Sequence, residues 1–194
     1  MIVSYNNLRI CGVDEVGRGC LAGPVAAAAV VLPKDYFNGE VRDSKRLNPK
    51  KRALIAADIH RNALSIGIGL VCNIIIDKIG ILPSTKQAMH LAIARISVPY
   101  DLIIIDAISL NNLSTPHIHP FKADDTYFEA ACASIVAKVY RDSLMEQLDE
   151  IYPEYGFASH KGYGTVAHCK VLKDNGITPL HRRSFLKNRD NESV

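Results

Sequence analysis

Apolar positions fall into short continuous runs separated by stretches of helical spacing. Residues 10–13 are an apolar run that opens a strand over 9–14, and residues 24–32, rich in Val and Ala, make a second strand. Asn48 before Pro49 is a helix start. It predicts a helix to about Asn62 with Leu54, Ile55 and Ile59 on one face. A third strand over 64–72, a helical turn near 75–79 and a helix over 84–95 follow. Residues 101–106 read as a strand covered on both faces. After a loop at 111–119, residues 120–122 read as a short strand. Thr126 with Glu129 forms a capping box for a long helix. Its stripe is Phe128, Cys132, Ile135, Val136, Val139, Leu144, Leu148 and Ile151. Ala130, Ala131 and Ala133 offer a small face for packing on a sheet, and Pro153 closes the element. A last helix over 165–175 ends at Gly176, and the charged tail beyond Phe185 is expected to fray. This is an α/β pattern.

Carboxylates recur where these elements start or end: Asp14 and Glu15, Asp106, and Asp124 and Asp125. Taken singly, each is a strand-end or cap acid. Gathered at the carboxyl ends of strands they would repel one another unless cations sat between them. Adjacent strand residues point to opposite faces, so Asp14 and Glu15 share one site only if the strand ends there. The turn Gly17-Arg18-Gly19 lets a backbone approach a ligand closely and leaves Arg18 free for phosphate. This combination suits metal-assisted phosphate chemistry. Residues 17–22 also match G-x-G-x-x-A, but that dinucleotide fingerprint must open a helix, and a strand follows here.

The chain's 194 residues, 48% hydrophobic and 22% charged, suit one globular domain. A net charge of +3 is compatible with nucleic acid. Five scattered cysteines form no C-x-x-C pair, pointing away from disulfides and zinc and toward a reducing cytosol. The first residues lack a basic segment and a long apolar one, so no signal peptide is expected, and no apolar run is long enough for a bilayer. A second constellation is residues 159–165, where glycines flank Tyr163. Tyr163 beside His160, Lys161, Arg182 and Arg183 reads as a stacking platform with phosphate contacts, or as an ordinary polar loop.

These residues in this order resemble the bacterial ribonuclease HII family. Asp14-Glu15-Val16-Gly17-Arg18-Gly19 looks like D-E-x-G-R-G, and Asp43-Ser44-Lys45 with Leu47 like D-S-K-x-L. Lys122-Ala123-Asp124 stands at K-G-D, and residues 133–142 look like A-S-I-x-A-K-V-x-R-D. His160-Lys161-Gly162-Tyr163-Gly164-Thr165 and His181-Arg182-Arg183-Ser184-Phe185 complete a match over 10–185. The resemblance implies a ribonuclease H-like fold: a five-stranded mixed sheet flanked by helices, with a helical C-terminal extension from about residue 152, in one domain over 1–194. It implies two divalent cations, Mg²⁺ or Mn²⁺, held by Asp14, Glu15, Asp106 and Asp124. The choice of Asp124 over Asp125 or Asp142 rests on the K-G-D match.

Members cut the RNA strand of RNA/DNA hybrids and nick duplex DNA 5′ of an embedded ribonucleotide, leaving 3′-hydroxyl and 5′-phosphate ends. By position the resemblance implies that Gly17, Arg18, Gly19 and Tyr163 sense the 2′-hydroxyl and that Ser44 and Lys45 contact the nucleic-acid backbone. A cytoplasmic monomer without a membrane partner is implied. Cys20, Ala107, Ala123 and Cys132 depart from the usual residues, and Ala123 matters most if its position needs a positive φ. Two alternatives are a ribonuclease HIII-like hybrid cutter, whose usual N-terminal domain has no room ahead of Asp14, and a non-catalytic nucleic-acid-binding module.

Overall fold

The computed structural model describes residues 8–41 and 48–186. Five strands form one mixed sheet in the order β3-β2-β1-β4-β5. They are β1 (Ile10–Val16), β2 (Val25–Val31), β3 (Ser65–Val71), β4 (Leu102–Ile105) and β5 (His117–Ile118). β2 pairs antiparallel with both β1 and β3, whereas β4 runs parallel to β1 and to β5. The aliphatic runs are central because both faces are covered. Every residue of β2 is buried, as are all four of β4.

Helix α1 (Pro49–Asn62) starts as the sequence predicts, with the Asn48 side chain accepting from Lys51 N–H. Ile55 and Ile59 are buried, but Leu54 is exposed. α2 (Asn73–Ile79) is followed by α3 (Ile81–Ile93), which begins three residues ahead of expectation. Pro83 sits in its first turn, where a missing N–H costs nothing. Ala88, Met89 and Ala92 of α3 pack on one sheet face with Cys11, Val13, Ala27 and Ile103. α1 and α5 (Phe128–Ile151) cover the other face through Ile55, Ile59, Ile135 and Val136.

The expected strand at 120–122 is a turn; the edge strand lies just before it, at His117–Ile118. The expected capping box is also absent. Thr126 ends a separate turn, α4 (Ala123–Thr126), and extended Tyr127 stands at the N-terminus of α5. Tyr127 packs against Ile10, Leu102 and Ile104, so tertiary burial overrides the local capping preference. Ala130 and Ala133 are fully buried where α5 crosses β1. A side chain at Gly12 would collide with the α5 backbone at Glu129. The stripe of α5 ends early, since Ile151 is exposed and Met145 is buried instead.

Beyond α5 come a 3₁₀ turn (Pro153–Tyr155), α6 (Phe157–His160), α7 (Val166–Asn175) and α8 (Arg183–Leu186). α7 carries the expected ends, with Thr165 Oγ1 accepting from His168 N–H and Gly176 at φ 78°. Among the described residues no helix is long and apolar enough to cross a membrane. The tail beyond residue 186 lies outside the described residues.

Candidate active site

β1 does not end at Asp14. It stays paired with β2 through Val16↔Ala26, while its pairing with β4 stops at Val13↔Ile105. From Asp14 onward one edge of β1 is therefore open, and Asp106 follows directly where β4 stops. This resolves the two-face objection, because carboxylates from opposite faces can meet around an open edge. Asp14, Glu15 and Asp106 each offer an oxygen, and these lie within 4.8 Å of one another.

Asp14 is buried and accepts from the Glu15 N–H at 2.7 Å. Burial pushes its carboxyl well above the usual range, and Glu15 and Asp106 add to this; hydrogen bonds from Ser134 and the Glu15 N–H oppose it. Asp106 accepts from the Ala123 N–H at 2.6 Å, which ties the end of β4 to α4. Glu15 Oε2 is buried with no hydrogen-bond partner. A cation is a natural complement to an acceptor-only oxygen among like charges. The donor set is all oxygen, as hard divalent cations require.

Asp124 is not in the three-oxygen cluster. It is half-buried on α4, one residue beyond the N–H that holds Asp106, whereas Asp125 is exposed. Asp142 pairs with Lys138 at 2.7 Å. The left-handed positions fall elsewhere than expected: Ala107 (φ 51°) and Lys122 (φ 57°) carry them, and Ala123 is helical.

The turn after β1 is held from beneath. Arg182 is fully buried and donates to the carbonyls of Gly17, Arg18 and Gly23 at 2.7, 2.8 and 3.0 Å. Arg141 of α5, also fully buried, donates to Ala22, Pro24 and Lys161. These are backbone clamps, which corrects the expectation that Arg182 meets phosphate. Arg18 is likewise not free, since it pairs with Glu15 at 3.3 Å. Gly17 has φ 90°, and a side chain there would strike Arg141. Gly19 is different: exposed, with nothing within 4 Å of where a Cβ would lie.

Tyr163 stands across this turn, bridged to Cys20. The residue is 37% exposed, with Lys138 Nζ 5.5 Å and Arg141 Cζ 5.9 Å from the ring centre. Burial pushes its hydroxyl up to about 12, so it is a neutral donor at physiological pH. Lys161 is committed to Glu146 at 2.5 Å, and His160 to the Tyr155 carbonyl at 2.7 Å. Neither is the phosphate contact the sequence proposed. Ser44 and Lys45 lie outside the described residues. No spacing rule flags Arg141, Ser134 or Arg182 as support for the site, since each acts through contacts distant in sequence.

A mixed five-stranded sheet with acids gathered where the parallel β1–β4 pairing ends defines a ribonuclease H-like nuclease. The Ribonuclease HII family model matches residues 11–188. The chain is 47% identical over 187 residues to ribonuclease HII of Lachnoclostridium phytofermentans, spanning 96% of this chain and 74% of that one. It is 46% identical over 181 residues to that of Enterococcus faecalis, spanning 93% and 71%. The structure of ribonuclease H2 from Pyrococcus horikoshii OT3 superposes with a TM-score of 0.78 at 26% identity, over 95% of this chain and 97% of that one. The chain belongs to the ribonuclease HII family, endonucleases that hydrolyse the RNA strand of RNA/DNA hybrids.

Proposed function

We propose that the chain cuts RNA/DNA hybrids and nicks duplex DNA 5′ of an embedded ribonucleotide, leaving 3′-hydroxyl and 5′-phosphate ends. The observation that carries this reading is the convergence of Asp14, Glu15 and Asp106 within 4.8 Å, with Glu15 Oε2 buried and unpartnered. In this reading Asp14, Glu15, Asp106 and Asp124 hold two divalent cations, Mg²⁺ or Mn²⁺. When bound, such cations supply an activated water and stabilise the leaving 3′-oxygen.

The chain's own groups do the rest. Asp106 is oriented by the Ala123 N–H and Asp14 by the Glu15 N–H, so both present fixed oxygens. Gly17, Arg18 and Gly19 present backbone to the ribose step, with the open face at Gly19 admitting it. The Tyr163 hydroxyl and ring complete the check for a 2′-hydroxyl, the group that separates RNA from DNA. Ser44 and Lys45 hold the phosphate backbone. The whole of 1–194 acts as one domain and as a monomer, with residues from about 152 as a substrate-binding extension.

Titrating Mn²⁺ or Mg²⁺ against a fluorescently labelled hybrid separates binding from cutting. Binding without metal and cutting only with it, giving 5′-phosphate ends, is the expected result. Binding without cutting at any metal concentration would leave a non-catalytic module instead.

A further inference from the structure

Two buried histidines, His168 and His181, and a half-buried one, His160, sit beside Tyr163, and no step above uses them. His168 and His181 are essentially without solvent exposure and meet Nε2 to Nε2 at 3.0 Å, so one must donate to the other. The direction is fixed from one end. Thr178 N–H can only donate, and it meets His181 Nδ1 at 2.9 Å. His181 therefore carries its proton on Nε2 and donates to His168 Nε2. His168 then carries its proton on Nδ1, which lies 2.9 Å from the Tyr163 carbonyl. His160 stacks on His168 with ring centres 4.1 Å apart, and its Nδ1 accepts from the Gly162 N–H. Burial, with His168 beside it, pushes His181 down to about 4, so His181 is neutral at physiological pH.

The next residue in the chain is Arg182, whose guanidinium holds Gly17, Arg18 and Gly23. Its N–H donates to the Leu21 carbonyl, and His181 bridges Ala22. Two adjacent residues thus face opposite ways: His181 toward Tyr163 through His168, Arg182 toward the Gly17–Gly19 turn. Building on the reading that Tyr163 and this turn sense the 2′-hydroxyl, we infer that His181 and Arg182 are positioning residues. Together with His168 they set the separation of the two halves of that sensor. Neither touches substrate; they act through Tyr163 and the turn.

The test compares cutting at a single embedded ribonucleotide with cutting inside a long hybrid, for wild type, Arg182→Lys, His168→Ala, His168→Gln and Tyr163→Ala. Misplacing one half of the sensor is expected to lower single-ribonucleotide cutting about tenfold more than long-hybrid cutting, mainly in kcat. His168→Gln, which keeps an N–H donor, is expected to retain more discrimination than His168→Ala. If Tyr163→Ala loses discrimination while folded Arg182→Lys and His168→Ala keep it in full, the positioning role is wrong and the sensor stands. If Tyr163→Ala itself leaves discrimination unchanged, the sensor reading falls first.

Should the variants not fold, long-range ¹H–¹⁵N spectra of the wild-type protein decide. They should show His181 protonated on Nε2 and His168 on Nδ1. The His168 Nδ1 resonance should shift on adding a DNA duplex carrying one ribonucleotide, with Ca²⁺ in place of Mg²⁺, more than with an all-DNA duplex. Opposite tautomers, or equal responses to both duplexes, would overturn the inference.

Discussion

Replacing Asp14 by Asn should stabilise the metal-free protein while removing its activity. Two unit charges 4.8 Å apart, the outer limit of the cluster, repel by about 3 kcal/mol at an effective dielectric constant near 20. Part of this is already relieved, because burial and the two neighbouring acids make Asp14 hold its proton more tightly than a free carboxyl. The expected gain is therefore about 1–2 kcal/mol near neutral pH. Asn keeps the acceptor for the Glu15 N–H, and its amide can donate to the Ser134 hydroxyl oxygen.

The sign follows from proton counts. Asp14 is protonated in the folded state at pH values where the unfolded chain has lost that proton, so its contribution to wild-type stability falls as pH rises from about 4. The advantage of the Asn variant should grow over the same range. Urea unfolding in EDTA between pH 4 and 8 measures it. Adding Mg²⁺ should reverse the order, since it stabilises only a site with its charges intact. A variant less stable than wild type in EDTA, or one that gains as much from Mg²⁺, would refute the reasoning.

Three further predictions share this basis. Asp124→Asn should nearly abolish hybrid cleavage while leaving the unfolding transition in place; unchanged turnover would remove Asp124 from the catalytic set. His181, held down to about 4 against 6.5 when free, stays neutral in the fold, so the protein should lose up to about 3 kcal/mol as pH falls from 6.5 toward 4. His181→Asn should flatten that stretch of the denaturation profile. Ala107 holds φ 51° beside Asp106, so Ala107→Gly should stabilise by about 0.5–1 kcal/mol, the left-handed cost less glycine's extra chain entropy. Thermal unfolding reads this directly, and a lowered Tm would count against strain at that position.

What the sequence makes legible is what short-range chemistry decides. Asn48-Pro49 and Thr165 with Gly176 set helix ends through atoms three or four residues away, and the structure places those ends as expected. The aliphatic run of β4 is legible because a strand buried on both faces has no polar alternation. Thr126-Glu129 misleads because the sheet recruits Tyr127 into its core, a demand no local rule contains. Arg182 misleads more instructively. Arginine is usually at the surface, yet here a residue far along the chain supplies three donors to a turn near its start. The acids were found by type and position at element ends. Their meeting around the open edge of β1 depends on where the pairing with β4 stops, which only the sheet register reveals.

The most direct test of the account uses an end-labelled DNA duplex carrying one ribonucleotide, incubated with Mg²⁺ or Mn²⁺ beside an all-DNA control. A single nick immediately 5′ of the ribonucleotide, lost with EDTA and absent from the control, is the predicted result. Cutting only of long hybrids, with this duplex left whole under both metals, would contradict it.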